Sequence, residues 1–337
     1  MTLLGKFQQP TTDQLSHSTD TLTGDFQVEA HELTKKFQRG KNGVYAVQDL
    51  SFAVPAGQMF GLLGPDGAGK TTTLRMLASV MPASQGFAKV GGFNTENQKR
   101  EARRLIGYMP QNFSLYPDLS VMENLNFFAA INGVHGSRRN DRIEQMLAFT
   151  RLKDFTDRRA ANLSGGMKKK LALACALLHE PQVLLLDEPS TGVDPVSRRE
   201  LWTILSKVVL DGVTVVVSTP YMDEAERCHQ VGVLYNGKLL TTGTPVDLQN
   251  NLPFEIVEVK AKPRKVMRQV VDEAPYVIQY RTIGDRLRLS VKDPRYAITQ
   301  LENSLISENA EIKVLRHAKR GMEDVFINLV EERRILN

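Results

Sequence analysis

A chain of 337 residues, 42% hydrophobic and 24% charged, has the composition of a folded globular protein with room for one large and one smaller domain. Its net charge of +5 suits a nucleotide, an anionic membrane surface or nucleic acid, and selects none of them. The two cysteines, Cys175 and Cys228, stand in no metal-ligand spacing and read as reduced thiols of a cytosolic protein.

Residues 1–25 are rich in Ser, Thr, Gln and Asp and read as a mobile tail. The chain turns polar directly after Met1-Thr2-Leu3-Leu4, with no secretory apolar region, and no apolar run approaches the roughly 18–20 residues that cross a bilayer. A cytoplasmic chain is therefore expected, meeting a membrane through a partner. Alternation begins at Phe26-Gln27-Val28-Glu29-Ala30 and predicts a strand. A short apolar strand over 58–63 ends in a glycine-rich loop, and a helix follows over 71–79. Helical spacing dominates 112–179, and strands return at 183–186, 213–218 and 232–235. Strand–helix alternation with a helical insert implies an α/β core with a mostly parallel sheet.

The pattern changes after residue 251. Strand 255–260, helix 264–272, strand 276–282, a Gly284-Asp285 turn, strand 286–292, helix 296–307 and strand 311–317 give the order β-α-β-β-α-β. That order predicts a small α+β, ferredoxin-like domain over 251–337, closed by an amphipathic helix at 321–332. The alternative is that these strands extend the main sheet.

Gly64-Pro65-Asp66-Gly67-Ala68-Gly69-Lys70-Thr71 fits G-x-x-x-x-G-K-[ST] between a predicted strand and a predicted helix. Its glycines let backbone N–H groups turn toward phosphates. Lys70 would reach the terminal phosphates, Thr71 would offer its hydroxyl to Mg²⁺, and Thr72 completes the nucleotide-binding segment. The run Val183-Leu184-Leu185-Leu186 delivers Asp187 and Glu188 at the end of a buried strand. Asp187 is placed to hold Mg²⁺ through water, and Glu188 to polarise an attacking water. Phosphoryl transfer asks a protein mainly to position groups and offset charge, so this inventory suffices for ATP hydrolysis. A second phosphate-gripping device, Leu163-Ser164-Gly165-Gly166, stands before another helix.

Taken in this order, the phosphate loop, the Leu163–Gly166 signature and the Asp187-Glu188 strand resemble the ATP-binding cassette (ABC) ATPases over residues 26–250. The resemblance implies a P-loop NTPase cassette: a RecA-like core with antiparallel β and helical subdomains, the helical one spanning 112–179. It implies ATP and Mg²⁺ as cofactors. It also implies two cassettes facing head to tail, each ATP lying between one phosphate loop and the other chain's signature, with integral-membrane permease subunits as further partners. Position by position, Gln111 resembles the Q-loop glutamine near the metal and the transport subunit. Phe37 resembles the aromatic that stacks on adenine, with Tyr45 as competitor. Ser190-Thr191-Gly192-Val193-Asp194 resembles the D-loop, and Asp194 before Pro195 also reads as a helix cap. Phe113, Leu115 and Tyr116 are candidates for contact with a permease or for packing inside the insert.

Two positions depart from the family pattern. Pro220 stands where the family has a histidine that meets the γ-phosphate, and it offers neither imidazole nor N–H. The local expectation is that Thr219 caps the next helix and Pro220 is its first residue. Asp66 stands where Asn is common. Together with Met322-Glu323-Asp324-Val325-Phe326-Ile327, these residues resemble the first cassette of two-cassette, ABC-2-type multidrug exporters. The expected function is an ATPase powering export. Alternatives are a hydrolytically weak cassette paired with a more active one, and a non-transport ABC protein acting on ribosomes or DNA. Lys168-Lys169-Lys170 reads as a solvated face, so no nucleic-acid partner is expected.

Overall fold

The structure, a computed structural model, describes residues 26–39, 42–112 and 115–335. The expected tail over 1–25 and Phe113 lie outside the described residues. The chain divides into two compact units, Met1–Thr244 and Pro245–Asn337.

The first unit is organised by a six-stranded sheet. Its central strands, Met59–Leu63, Val183–Asp187 and Thr214–Thr219, carry an unbroken buried pattern, as strands covered on both faces must. With Ile106–Met109 at one edge and Gln230–Tyr235 on the other side, they run parallel; Lys238–Gly243 closes that side antiparallel. The register determines where chemistry can occur. Met109 pairs with Leu186, Asp187 with Ser218 and Leu63 with Thr219, so four parallel strands end at one level. In open parallel sheets that carboxyl edge is where ligands bind. Here it carries Gly64, Gln111, Glu188 and Pro220 within two residues of those strand ends.

A four-stranded antiparallel sheet packs its inner face on the same core, through Val28, Ala30, Leu50 and Val54 with Phe60, Leu62 and Leu74. Its long hairpin, Phe26–Arg39 with Asn42–Pro55, carries Phe37. The helical insert contains Val121–Ile131, Gly136–Thr150 and Gly165–Leu177. Its entry is fixed by the Ser120/Glu123 capping box and by buried Asn124, whose amide donates to the carbonyls of Tyr116, Leu119 and Ser120. Leu115 is packed inside, whereas Tyr116 is 46% exposed and stacks edge-on against Phe127.

The second unit has strands Glu255–Lys262, Val277–Ile283, Arg286–Val291 and Glu311–Ala318, with helices Arg264–Asp272 and Pro294–Ser307 between them. The first strand lies between the third and fourth, and the second takes an edge. This is the ferredoxin-like order, and these strands form a sheet of their own. The helix Met322–Ile335 is joined to this sheet by Asp324, which accepts hydrogen bonds from Arg281 and Arg288.

Candidate active site

Lys70, Glu188, Gln111, Thr71 and Asp187 converge at the carboxyl edge of the parallel sheet. The phosphate loop turns between Leu63 and the helix Lys70–Leu77. Gly69 has φ +107°, and a Cβ there would stand 2.5 Å from the Ala46 carbonyl oxygen, so both conformation and space demand glycine. The helix that follows has no side-chain cap at its N-terminus. Its first N–H groups therefore face the loop as an anion-attracting end.

Lys70 is 3% exposed. Its ammonium donates to the carbonyls of Gly64 at 2.8 Å and Pro65 at 3.0 Å and pairs with Glu188 Oε1 at 3.2 Å. The second Glu188 oxygen accepts from Gln111 Nε2 at 2.9 Å and from the Thr191 hydroxyl at 3.3 Å. Glu188 itself sits at φ +48°, a left-handed conformation that costs a non-glycine residue about 1–3 kcal/mol and persists only where the surroundings enforce it. Ser218 is one enforcer: the Glu188 N–H donates to its hydroxyl at 3.0 Å and to its carbonyl at 3.2 Å.

Asp187 is fully buried. Its Oδ1 accepts from the hydroxyls of Thr71 at 3.0 Å and Ser218 at 2.8 Å, while Oδ2 has no hydrogen-bond partner. A buried carboxylate oxygen without a donor is costly unless a cation or water meets it, so the Thr71–Asp187 pair fits a hard, oxygen-seeking divalent ion.

The signature stands on the same unit. Ser164 caps the helix Gly165–Leu177 by accepting from Met167 N–H at 3.3 Å. Leu163 is buried, whereas Ser164 and Gly165 are exposed. Gly166 is tightly enclosed, and a Cβ there would stand 2.4 Å from Ser197. That contact joins the signature to the segment holding Asp194, whose carboxylate caps the helix Pro195–Leu210 by accepting from Val196 and Ser197 N–H. The Ser197 hydrogen bonds hold the Asp194 carboxyl below the usual aspartate range.

Phe37 and Tyr45 are both exposed, at 40% and 46%. Phe37 pairs with Val44 and Lys36 with Tyr45, so the two rings leave opposite faces of the hairpin. Asp66, Gly67 and Pro65 form the outer rim of the loop, Ala68 is buried beneath it, and Thr72 lies half-buried on the first helical turn.

Two expectations are corrected. Pro220 precedes the helix Met222–Ala225, whose cap position is Tyr221. The Thr219 hydroxyl instead accepts from Tyr221 N–H and donates to buried Glu224, which also receives Trp202 Nε1 and Arg198 Nε. The Tyr221 N–H bond to Thr219 is of the capping kind, yet the helix itself begins only at Met222, two residues beyond Pro220. The lysine run is not a solvated face either. Lys170 is buried against Glu200, and Lys169 lies half-buried against the carbonyls of Gln111 and Glu188. The sequence reading missed Ser218 and Lys169 as site residues, and it placed Thr191 in the D-loop segment without its bond to Glu188.

The family described as ABC transporter matches residues 47–191. Across 84% of its length the chain is 36% identical to the Nod factor export ATP-binding protein I of Burkholderia thailandensis, covering 91% of that protein. The chain belongs to the ABC transporter ATP-binding proteins. It is 45% identical, over 69% of its length, to the probable multidrug ABC transporter ATP-binding protein YbhF of Escherichia coli (strain K12), of which it spans 40%. Among solved structures, the dimeric ATP-binding cassette MJ0796 in a post-hydrolysis state with ADP and Pi superposes with TM-score 0.60. The identity is 26%, over 64% of this chain and 98% of that one. No helix among the described residues is long and apolar enough to cross a membrane.

Proposed function

We propose that this cassette hydrolyses Mg²⁺-bound ATP at the interface of a cassette dimer and thereby powers an export permease. The observation that carries the reading is Glu188, held in a left-handed conformation with its carboxylate shared between Lys70 and Gln111. Strain of this kind is maintained where a group must point at reacting atoms. In the proposed cycle the phosphate-loop N–H groups and Lys70 hold the β- and γ-phosphates. Thr71 and Asp187, with Gln111 near them, would hold Mg²⁺, which supplies charge neutralisation on the phosphate oxygens when bound. Arrival of a phosphate draws the Lys70 ammonium from Glu188, freeing that carboxylate to orient a water and accept its proton. Phe37 is the proposed adenine platform, and Ser164 with Gly165 contacts the γ-phosphate of a nucleotide held by the partner cassette. Asp194 stands beside that signature, where it bridges the two sites of the dimer.

Export is supported by the names of the relatives, one a Nod factor export protein and one a probable multidrug transporter protein. The proposed partners are a second cassette and integral-membrane permease subunits, which would hold the chain at the cytoplasmic face of the membrane. A second reading, a slow cassette working beside a faster one, is favoured by Pro220. The family's histidine would add one donor at the γ-phosphate, and losing one such donor slows turnover by about a hundredfold or more.

Sedimentation of the Glu188→Gln variant tests the dimer. ATP is expected to convert monomer to dimer, and Ser164→Arg to abolish that shift. A Glu188→Gln chain that stays monomeric with saturating ATP, alone and with candidate partner cassettes from the same membrane complex, would sink the proposal.

A further inference from the structure

We infer that Lys169 is a positioning residue for hydrolysis: its ammonium holds the backbone carbonyls of Gln111 and Glu188 together and ties both to the signature helix. The inference rests on the ATPase reading above. Lys169 lies one turn into the helix Gly165–Leu177, beyond the Ser164 cap. Its Nζ donates to the Gln111 carbonyl at 3.1 Å and to the Glu188 carbonyl at 3.4 Å. The same two residues meet through their side chains, Gln111 Nε2 donating to Glu188 Oε2 at 2.9 Å. These contacts close a ring of three residues that are 58, 19 and 77 positions apart in the chain.

The ring acts on a strained peptide. With Glu188 at φ +48°, its N–H is held by Ser218 and its carbonyl by Lys169 and by Thr191 N–H. Of these, only Lys169 comes from the helix that carries the signature. An ammonium suits the position, because its three donors can serve two carbonyls at once, where a glutamine amide offers two donors on one short arm. Burial lowers the Lys169 pKa, and the charges of Asp187 and Glu188 oppose that shift. One of these two carboxylates, Glu188, is the residue whose backbone carbonyl the ammonium holds. A nucleotide pressing on Ser164 and Gly165 would, through this helix, be felt at the hydrolytic carboxylate of the same chain.

The test uses the full-length chain with Lys169→Met and Lys169→Arg. It reads kcat and KM for ATP, ATP-induced stabilisation, and amide hydrogen exchange. Displacement of a catalytic group by a fraction of an ångström to one ångström costs about tenfold to a hundredfold in rate. Lys169→Met is therefore expected to lower kcat by about that factor, leave KM and ATP-induced stabilisation within about threefold, and speed exchange at 188–191. Lys169→Arg, which keeps the charge and donors, is expected to stay within about threefold of the parent. Unchanged exchange at 188–191 in Lys169→Met, or acceleration spread evenly across the unit, overturns the inference. So does a loss of kcat matched by Lys169→Arg. A parent chain without turnover contradicts the ATPase reading alone, and the exchange arm still decides the clamp.

Discussion

Glu188 shows how few residues the chemistry requires and how many hold them. Lys70, Thr71 and Asp187 are legible in the sequence because each sits in a short motif whose spacing has a mechanical explanation, whereas Gln111 is reached only through the family resemblance. Ser218 is not legible, because its role lies in a register: it is opposite Asp187 on the neighbouring strand. Its hydroxyl donates to Asp187 Oδ1 and accepts the Glu188 N–H. Ser218→Ala should cost about 1–2 kcal/mol of stability, since a buried carboxylate loses a donor while Glu188 N–H keeps the Ser218 carbonyl. Denaturant melts should register that loss, and turnover should fall more than ATP affinity; a variant as stable and active as the parent would remove Ser218 from the account. Pro220 is the opposite case, visible as a departure at once, although its local structure was not. Pro220→His should raise turnover several-fold or more by returning a γ-phosphate donor. Equal rates for the two proteins would show that this position does not limit hydrolysis.

At the scale of elements, the sequence revealed what is periodic. The alternation after residue 251 predicted the strands and helices of the second unit, and the buried runs predicted the central strands of the first. The helix start after Pro220 was misread by two residues: Thr219 does accept from Tyr221 N–H as a cap would, but the helical turn begins only at Met222. Lysines 169 and 170 were misread because a charge run reveals nothing about what packs over it. Two element junctions carry predictions. Gly166→Ala places a Cβ 2.4 Å from Ser197, so the signature helix must separate from the helix Pro195–Leu210. ATP binding in the chain's own loop should persist while ATP-driven dimerisation weakens, as measured by sedimentation. Asp324 fixes the helix Met322–Ile335 by accepting from Arg281, Arg288 and Gly321 N–H. Burial raises its pKa, but the Arg288 hydrogen bond, the Gly321 N–H and the arginine charges outweigh it, leaving the carboxyl below its ordinary 3.8. A depressed folded pKa stabilises above the ordinary value and is lost as pH falls through the folded one. Asp324→Asn should thus cost about 2 kcal/mol at neutral pH and flatten the loss of stability below about pH 4. Melts of parent and variant that differ equally at pH 7 and pH 3 would contradict that assignment.

For the whole molecule, the proposed dimer makes the cassette half of a machine. Its phosphate loop and its signature stand on one unit, yet they serve different nucleotides in the proposed dimer, which is why one chain carries two phosphate grips. The departure at Pro220 belongs to the chain's own loop, while the signature offered to a partner keeps its serine and both glycines. In a mixed dimer this chain should therefore speed a partner's ATP more than its own. The proposed reading gives this chain the task of breaking the phosphate bond of ATP, and the most direct test is steady-state Mg²⁺-ATP hydrolysis by the purified full-length protein beside its Glu188→Gln variant. Measurable turnover is expected, falling by about a hundredfold or more in Glu188→Gln with ATP still bound. Equal rates in the two proteins would contradict it.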